Sequence, residues 1–179
     1  MCERIRAEVS TLDAHRVLRR QGINSVVICG VFSPIDFETK QEEQVERIVR
    51  EQLPNSFITV SHRVANIGLL ERENAAILNG SLLPFAQSTV GGFRSAAEAL
   101  GLACPIFVTS NDGTLLTLPQ AASLPIRTFS SGPTNSMRGA SFLAQVARPD
   151  AKKEAALVVD VGGTTVSAAG WFNIGYADV

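Results

Sequence analysis

Cysteine and histidine are scarce in this sequence of 179 residues. Its three cysteines and two histidines form no group with the spacing of a zinc site. An odd number of widely separated cysteines argues against a disulfide framework and favours free thiols in a reducing compartment. Because Cys29 and Cys104 lie in apolar contexts, we expect both thiols to be buried.

Long apolar runs and an excess of one charge are absent as well. The first residues contain no apolar signal segment, and no run reaches the length of a transmembrane helix. The 16 basic and 17 acidic residues are mixed along the chain, which argues against binding to nucleic acid or to an anionic membrane. An apolar content of 45% excludes a disordered chain. The sequence therefore predicts a globular cytoplasmic protein.

Apolar periodicity predicts alternating helices and strands in the first part of the chain. A helix over residues 10–22 precedes a buried strand over 25–32, an amphipathic helix over 39–53 and a second strand over 57–62. Because a strand, helix and strand in this order favour a right-handed crossover, we expect the two strands to be parallel.

Proline and short apolar runs organise the middle of the chain. Two helical pieces, 71–82 and 85–100, are expected to flank a kink at Pro84. Beyond them the pattern predicts strands at 105–109, 115–118 and 126–129, a helical turn within 119–123, and a helix at 134–147. The charged segment 148–155 then predicts an exposed connector and a domain boundary.

A glycine pair after an apolar run is the most informative motif. Residues 157–161 predict a buried strand, and Gly162 with Gly163 predicts a two-residue hairpin turn with positive φ at both positions. Residues 164–169 would return as the second strand. A turn without Cβ atoms allows a phosphate to approach backbone N–H groups. The alternative is an ordinary hairpin with a glycine turn.

Three side chains around that turn fit the same chemistry. The hydroxyls of Thr164 and Thr165 can donate to phosphate oxygens, and Asp160 can hold a hydrated Mg²⁺ that faces them. Short glycine motifs also occur without any phosphate, so the structural interpretation stays open.

Two further segments have a functional and a structural interpretation. Ser131 and Gly132 precede a predicted helix, where they could bind an anion at its N-terminus or simply cap it before Pro133. Asn111 follows a predicted strand, where it could face a substrate cleft or form an Asx turn with its neighbours.

His62 and residues 71–73 are expected to be structural. His62 has no serine, cysteine or aspartate partner that the sequence can assign. Residues 71–73 are expected to form a solvated or paired helix face, on which Arg72 could also hold a carboxylate bidentately.

Four motifs occur in one order along the chain. They are Ser61-His-Arg-Val64 followed by residues 70–79, then Thr109-Ser-Asn-Asp-Gly113, then Arg127-Thr-Phe-Ser-Ser-Gly-Pro133, and last Asp160-Val-Gly-Gly-Thr-Thr165. Together they resemble the hydantoinase/oxoprolinase family, which belongs to the actin-like ATPase superfamily. In that resemblance the last motif corresponds to the family's internal phosphate motif.

The resemblance implies an α/β fold of the actin-like ATPase (ribonuclease H-like) type. A lobe with βαβ units would be followed by the start of a second lobe that carries a phosphate-binding β-hairpin. Residues 1–147 would be part of the N-terminal-type region, residues 148–155 the connector, and residues 156–179 the truncated second lobe.

The resemblance also implies an ATP-dependent hydrolase that opens a cyclic amide, a hydantoin or the 5-oxoproline of glutathione metabolism. ATP and Mg²⁺ would be its cofactors. Asp160 would be the metal ligand. The loop that follows it would hold the phosphates through Gly162, Gly163, Thr164 and Thr165. Ser131, Gly132 and Asn111 would line the cleft.

Three departures from the family pattern define the rival hypotheses. Val166 and Ser167 replace a Thr-Asp pair of the family pattern. Residues 134–136 are Thr-Asn-Ser where the family has Ala-Gly-Gly. These bulkier side chains are predicted to obstruct the close approach of a phosphate to the backbone. The family's first phosphate motif is missing. We therefore expect an internal piece of a longer enzyme, inactive when isolated, with a partner subunit or the rest of the same chain completing it. A truncated, inactive relative and a sugar or acid kinase of the same superfamily are the alternatives.

Overall fold

The structure, a computed structural model, describes residue 22 and residues 24–143, 155–163 and 165–172. They form a mixed α/β protein with small sheets in two units. The first unit comprises the described residues up to Ala103 together with Ala122–Ile126, and the second comprises Cys104–Ala121 and the described residues from Arg127 onward. The predicted helix at 10–22, apart from its last residue, and the predicted connector, apart from Ala155, lie outside the described residues.

A two-stranded parallel sheet and two helices build the first unit. Strands β1 (Ser25–Ile28) and β2 (Phe57–Val60) pair in parallel, with Ser25 opposite Phe57. Helix α1 (Gln41–Gln52) connects them, and the buried Ile48 and Val49 form its apolar face. The predicted strand–helix–strand order and the parallel pairing are confirmed. Both strands are shorter than predicted: β1 ends at Ile28 and a turn at residues 31–32 follows, while a 3-10 helix at Ser61–Arg63 replaces the end of β2. A further 3-10 helix lies at Ser33–Ile35.

Helix α2 (Leu69–Ala99) packs against both strands and runs through Pro84 without a break. The prediction of two helical pieces was therefore wrong. Proline removes one backbone donor, but the buried Ala76, Leu83 and Ala86 hold the helix to the unit on both sides of it. At Gly80 a Cβ would lie 2.8 Å from Cγ2 of Val27, so this glycine permits the close packing of α2 on β1.

Two antiparallel pairs and one helix build the second unit. Strands β3 (Phe107–Thr109) and β4 (Leu115–Thr117) pair, as do β5 (Ala155–Val161) and β6 (Val166–Phe172). Helix α4 (Ser131–Leu143) packs against β5 and β6. These elements confirm the predicted strands at 105–109 and 115–118, the predicted hairpin after Asp160 and the helix, which begins three residues earlier than predicted. The predicted burial of the strand at 157–161 was wrong, because Leu157, Val159 and Val161 are exposed. The short helix α3 (Leu118–Ser123) lies between β4 and α4 in the chain.

Two predictions about the middle of the chain were wrong. Residues 126–129 are not a strand, because Pro125–Arg127 form a 3-10 helix and a turn follows. Cys29 is half-buried and Cys104 is exposed, although both are free thiols as predicted. Among the described residues, no helix combines the length and the apolar character needed to span a membrane.

Candidate functional site

The loop after Asp160 is wider than the sequence predicts. The register ends with Val161 opposite Val166, so four residues rather than two connect the strands. Neither Gly162 nor Gly163 has a φ in the left-handed region, because only a two-residue connection requires positive φ at both central positions. The N–H of Gly162 donates to the carbonyl oxygen of Thr165 over 2.9 Å. Thr164 lies outside the described residues.

The rest of this loop is open. Gly163 is exposed, and a Cβ placed on it would meet no atom within 4 Å. Thr165 is exposed as well. A ligand could therefore reach the backbone at Gly163 without displacing any side chain that the structure describes, whereas the amide of Gly162 would have to leave its partner in the loop.

Asp160 is positioned by a side chain from helix α4. It is half-buried at the end of β5, and its Oδ2 accepts a 2.7 Å hydrogen bond from Oγ of Ser136. Ser136 is one of the residues predicted to obstruct the approach of a phosphate. In the structure its hydroxyl fixes the orientation of the carboxylate, a role that the sequence analysis missed.

The start of α4 is attached to the loop that contains Asn111. Oδ1 of Asn111 accepts a 2.8 Å hydrogen bond from the N–H of Ser130, and its carbonyl oxygen accepts one of 2.7 Å from Oγ1 of Thr134. The side chain of Asn111 thus holds the segment before the helix. Ser131 and Gly132 lie in the first turn of α4, where Ser131 donates from its N–H to the carbonyl of Thr128 over 3.2 Å.

Asp112 forms the Asx turn that the sequence analysis gave as the alternative interpretation of this loop. Its Oδ1 accepts hydrogen bonds from Oγ1 and N–H of Thr114, at 2.6 and 2.9 Å, and these donors lower the pKa of Asp112. Gly113 follows with a φ of 79°, a conformation that glycine adopts without strain. Nε of Arg138 lies against it on the side where a Cβ would project.

Helix α4 therefore connects two of the predicted site segments. Thr134 of the helix and Ser130 just before it contact Asn111, and Ser136 of the helix contacts Asp160. No three His, Cys, Asp or Glu side chains gather into a metal-binding group in the described parts of the chain. Mg²⁺ commonly takes one or two protein carboxylates and completes its shell with water and phosphate oxygens. A single oriented carboxylate beside an open glycine loop fits that requirement.

A second polar cluster lies in the first unit. Glu42 is only 2% exposed. One of its carboxylate oxygens accepts hydrogen bonds from the N–H of Gly30 and from Oγ of Ser61. The other accepts from the N–H and from Nδ1 of His62, and all four donor–acceptor distances are 3.1 Å or less. Burial raises the pKa of Glu42, but the donors Ser61, Gly30 and His62 outweigh it and hold the pKa below its ordinary value. His62 is thus paired with a buried carboxylate, and its structural role stays a prediction.

The predicted environment of Arg72, a solvated or paired helix face, was wrong. Arg72 is completely buried rather than solvated, and none of its partners among the described residues is a carboxylate. Its guanidinium donates to Oγ of Ser61 and to four carbonyl oxygens, those of Gly30, Val31, Asn66 and Ile67. Five rigidly arranged N–H donors suit such a set of acceptors. Arg72 therefore joins the segments that follow β1 and β2 to the start of α2.

A protein-family model, described as Hydantoinase/oxoprolinase, matches residues 72–172. The match covers more than half of the chain and includes the Asn111 loop, helix α4 and the hairpin that carries Asp160. No curated protein and no solved structure is significantly similar to the chain.

Proposed function

The chain belongs to the hydantoinase/oxoprolinase family, and from that premise we propose that it serves an ATP-dependent hydrolase that opens a cyclic amide of the hydantoin or 5-oxoproline type. The observation that carries the proposal is the position of Asp160, whose carboxylate is oriented by Ser136 beside an open glycine loop. An oriented carboxylate next to accessible backbone is the combination that a magnesium–phosphate group needs.

ATP would supply its terminal phosphoryl group to the amide oxygen and be released as ADP. The ring carbon would then be electrophilic enough for water to add to it, and phosphate would leave as the ring C–N bond breaks. The residues of this chain would position and neutralise charge. Asp160 would bind Mg²⁺ through its carboxylate, while Ser136 keeps the carboxylate in one orientation. Positioning and electrostatic stabilisation provide most of the rate enhancement in phosphoryl transfer.

The glycine loop would hold the phosphates. Gly163 leaves room for a phosphate oxygen to approach the backbone, and the exposed Thr165 has a hydroxyl that can donate to it. Gly162 would join only after its amide leaves the carbonyl of Thr165. Thr164 is proposed for the same role on the sequence alone.

Residues at the start of α4 have a supporting role in this proposal. Gly132 is exposed, and a Cβ placed on it would meet no atom within 4 Å, so an anion could approach the helix there. Asn111 and Ser131 would line the same side, with Asn111 acting mainly through the segment that it holds. We also propose the actin-like arrangement, with a second lobe from residue 156, and a cytoplasmic location.

A relative without catalytic activity is the second candidate. It is favoured by the engaged amide of Gly162 and by Ser167, which stands where the family has an aspartate. A kinase of the same superfamily is less favoured, because the family match is to hydantoinase/oxoprolinase sequences.

Binding of a fluorescent ATP analogue, with Mg²⁺ and with EDTA, tests the proposal. We expect saturable Mg²⁺-dependent binding that Asp160→Asn removes and that Glu98→Gln, an exposed acid on α2, leaves unchanged. If the wild-type chain binds no nucleotide, the inactive relative is the better conclusion. Because the isolated chain is expected to be inactive, turnover is tested with the longer enzyme that would contain it. Incubation of that enzyme with ATP and a hydantoin or 5-oxoproline distinguishes the two activities, since a hydrolase releases phosphate and the opened ring, whereas a kinase releases a stable phosphorylated product.

A further inference from the structure

The first unit contains a cavity that has no part in the site described above. Its volume is about 400 Å³, within the usual range for small-molecule sites. It lies among α1, β2, α2 and the segment at Ser123–Leu124, all of which belong to the first unit. The cavity is therefore a separate candidate for ligand binding.

Positive charge is in excess at this cavity. Arg50 and Arg63 both line it, and no acidic residue does among the described residues. Behind them Glu46 accepts from Nε and one terminal nitrogen of Arg50, at 3.0 and 2.7 Å, and from a terminal nitrogen of Arg63 at 2.7 Å. One carboxylate thus faces two guanidinium groups, which leaves a surplus of one positive charge.

Glu46 itself stays ionised at neutral pH. Burial raises its pKa, but hydrogen bonds and charge from Arg63 and Arg50 outweigh this effect and lower the pKa below its ordinary value. The two arginine side chains keep their remaining N–H groups for another acceptor, because a guanidinium has five donors and Glu46 uses only some of them. A bound carboxylate could engage both guanidinium groups at once.

The rest of the lining combines apolar side chains with the polar Ser56, Thr59, Asn79, Gln87 and Ser123. Val60 and Leu83, both buried, face the cavity from β2 and α2. Asn79, also completely buried, donates from Nδ2 to the carbonyl of Ser123 and accepts from the N–H of Ile126, each at 3.2 Å. This amide holds the segment that contributes Leu124 to the lining, so the cavity is formed before any ligand binds.

We propose that this cavity is a binding site for a small organic carboxylate with a short apolar body. The carboxylate lies between Arg50 and Arg63, and the apolar body packs against Val60, Leu83 and Leu124. The site is independent of the hairpin that carries Asp160, so it stands whether or not the chain binds ATP.

Affinity is expected to be weak and dependent on salt. The side chains of Arg50 and Arg63 are 60% and 49% exposed, so ions in solution screen part of their attraction. For a six-carbon acid we expect a dissociation constant on the order of 1 mM. A neutral molecule of the same shape gains only the apolar contacts.

Hexanoate and hexanamide are the probes, and amide chemical shifts of the ¹⁵N-labelled full chain are the measurement. Hexanoate is expected to shift the resonances around Val60 and Leu83 and to bind roughly tenfold more tightly than hexanamide. Absence of shifts at these positions, or equal affinity for the two probes, would overturn the proposal.

Substitutions of an arginine and of Glu46 are expected to change the affinity for hexanoate in opposite directions. Arg63→Gln leaves Arg50 neutralised by Glu46 and is expected to weaken hexanoate binding by about fivefold or more, whereas Glu46→Gln removes the acid and is expected to strengthen it. Arg47→Gln changes an exposed arginine of α1 outside the lining and is the matched control. Equal affinity in Arg63→Gln and Arg47→Gln would show that the cavity does not recognise charge. If Glu46→Gln does not fold, the comparison of Arg63→Gln with Arg47→Gln still shows whether the cavity recognises charge.

Discussion

Oγ of Ser136 donates a hydrogen bond of 2.7 Å to Oδ2 of Asp160, across 24 residues of chain. The family pattern has a glycine where this chain has Ser136, so the interaction depends on one of the departures noted in the sequence. A hydroxyl that holds one oxygen of a carboxylate leaves the other oxygen for a metal ion. The departure therefore provides an orientation for Asp160 as well as added bulk.

Ser136→Ala is expected to weaken Mg²⁺-dependent nucleotide binding by about tenfold, because residues that orient a metal-binding carboxylate commonly contribute that much. Ser136→Thr keeps the hydroxyl and is expected to recover part of the loss. Titration with a fluorescent ATP analogue at several Mg²⁺ concentrations measures both effects. Ser81→Ala, which removes an exposed serine hydroxyl from α2, is the control. Unchanged affinity in Ser136→Ala would mean that the hydrogen bond has no part in metal binding.

Gly163→Ala tests the role of the glycine loop in nucleotide binding without a large effect on the stability of the chain. The added Cβ meets nothing within 4 Å, and φ is outside the left-handed region, so the melting temperature is expected to change little. Nucleotide binding is expected to fall several-fold, since the methyl group keeps phosphate away from the backbone. Gly91→Ala, at an equally open position in α2, is the control and is expected to raise stability by up to about 1 kcal/mol. Full nucleotide affinity in Gly163→Ala contradicts the proposed phosphate contact.

Local patterns predicted the elements whose burial follows a regular period. The apolar run from Ser25 and the amphipathic face of α1 predicted a strand and a helix, and their order predicted the parallel pairing with β2. The Gly162–Gly163 pair predicted a hairpin, although the loop proved to be two residues longer. Loop length depends on where pairing stops, which the identity of the turn residues alone does not determine.

Interactions between distant segments could not be predicted in this way. The continuity of α2 through Pro84 depends on packing against β1 and β2, which outweighs the local cost of proline. The burial of Arg72 depends on carbonyl groups around residues 30 and 66, which carry no signal in the sequence because every residue has one. The partner of Asp160 depends on how α4 packs against β5.

Arg72→Met is expected to lower the free energy of unfolding by about 3 kcal/mol or more. The substitution keeps an apolar stem but leaves Ser61 Oγ and four carbonyl oxygens without their buried donor. Arg72→Lys is expected to recover little, because a compact ammonium group cannot reach acceptors that are spread around a planar guanidinium. Urea denaturation measures the effect, with Arg94→Met, an exposed arginine of the same helix, as the control. Equal losses at positions 72 and 94 would contradict the structural role.

Glu42 is expected to make the chain sensitive to acid. Its pKa is held below the ordinary value of 4.5 in the folded chain, because donors from Ser61, Gly30 and His62 outweigh the effect of burial. The unfolded chain therefore binds a proton more readily, so the stabilisation is complete above pH 4.5 and is lost as the pH falls through the folded pKa. Glu42→Gln is expected to be less stable at pH 7 and to show a smaller fall in free energy of unfolding below pH 4.5. The pKa of Glu46 is also lowered, so part of the fall remains in the variant.

Urea denaturation at a series of pH values between about 3 and 7 measures this dependence on Glu42. Glu38→Gln removes an exposed acid from the loop before α1 and is expected to leave the pH dependence nearly unchanged. The difference between the two variants isolates the contribution of the buried carboxylate. If Glu42→Gln loses stability in parallel with the wild-type chain down to pH 3, Glu42 does not carry a depressed pKa, and the acid lability comes from other carboxylates whose pKa is lowered, among them Glu46, Asp36 and Asp112.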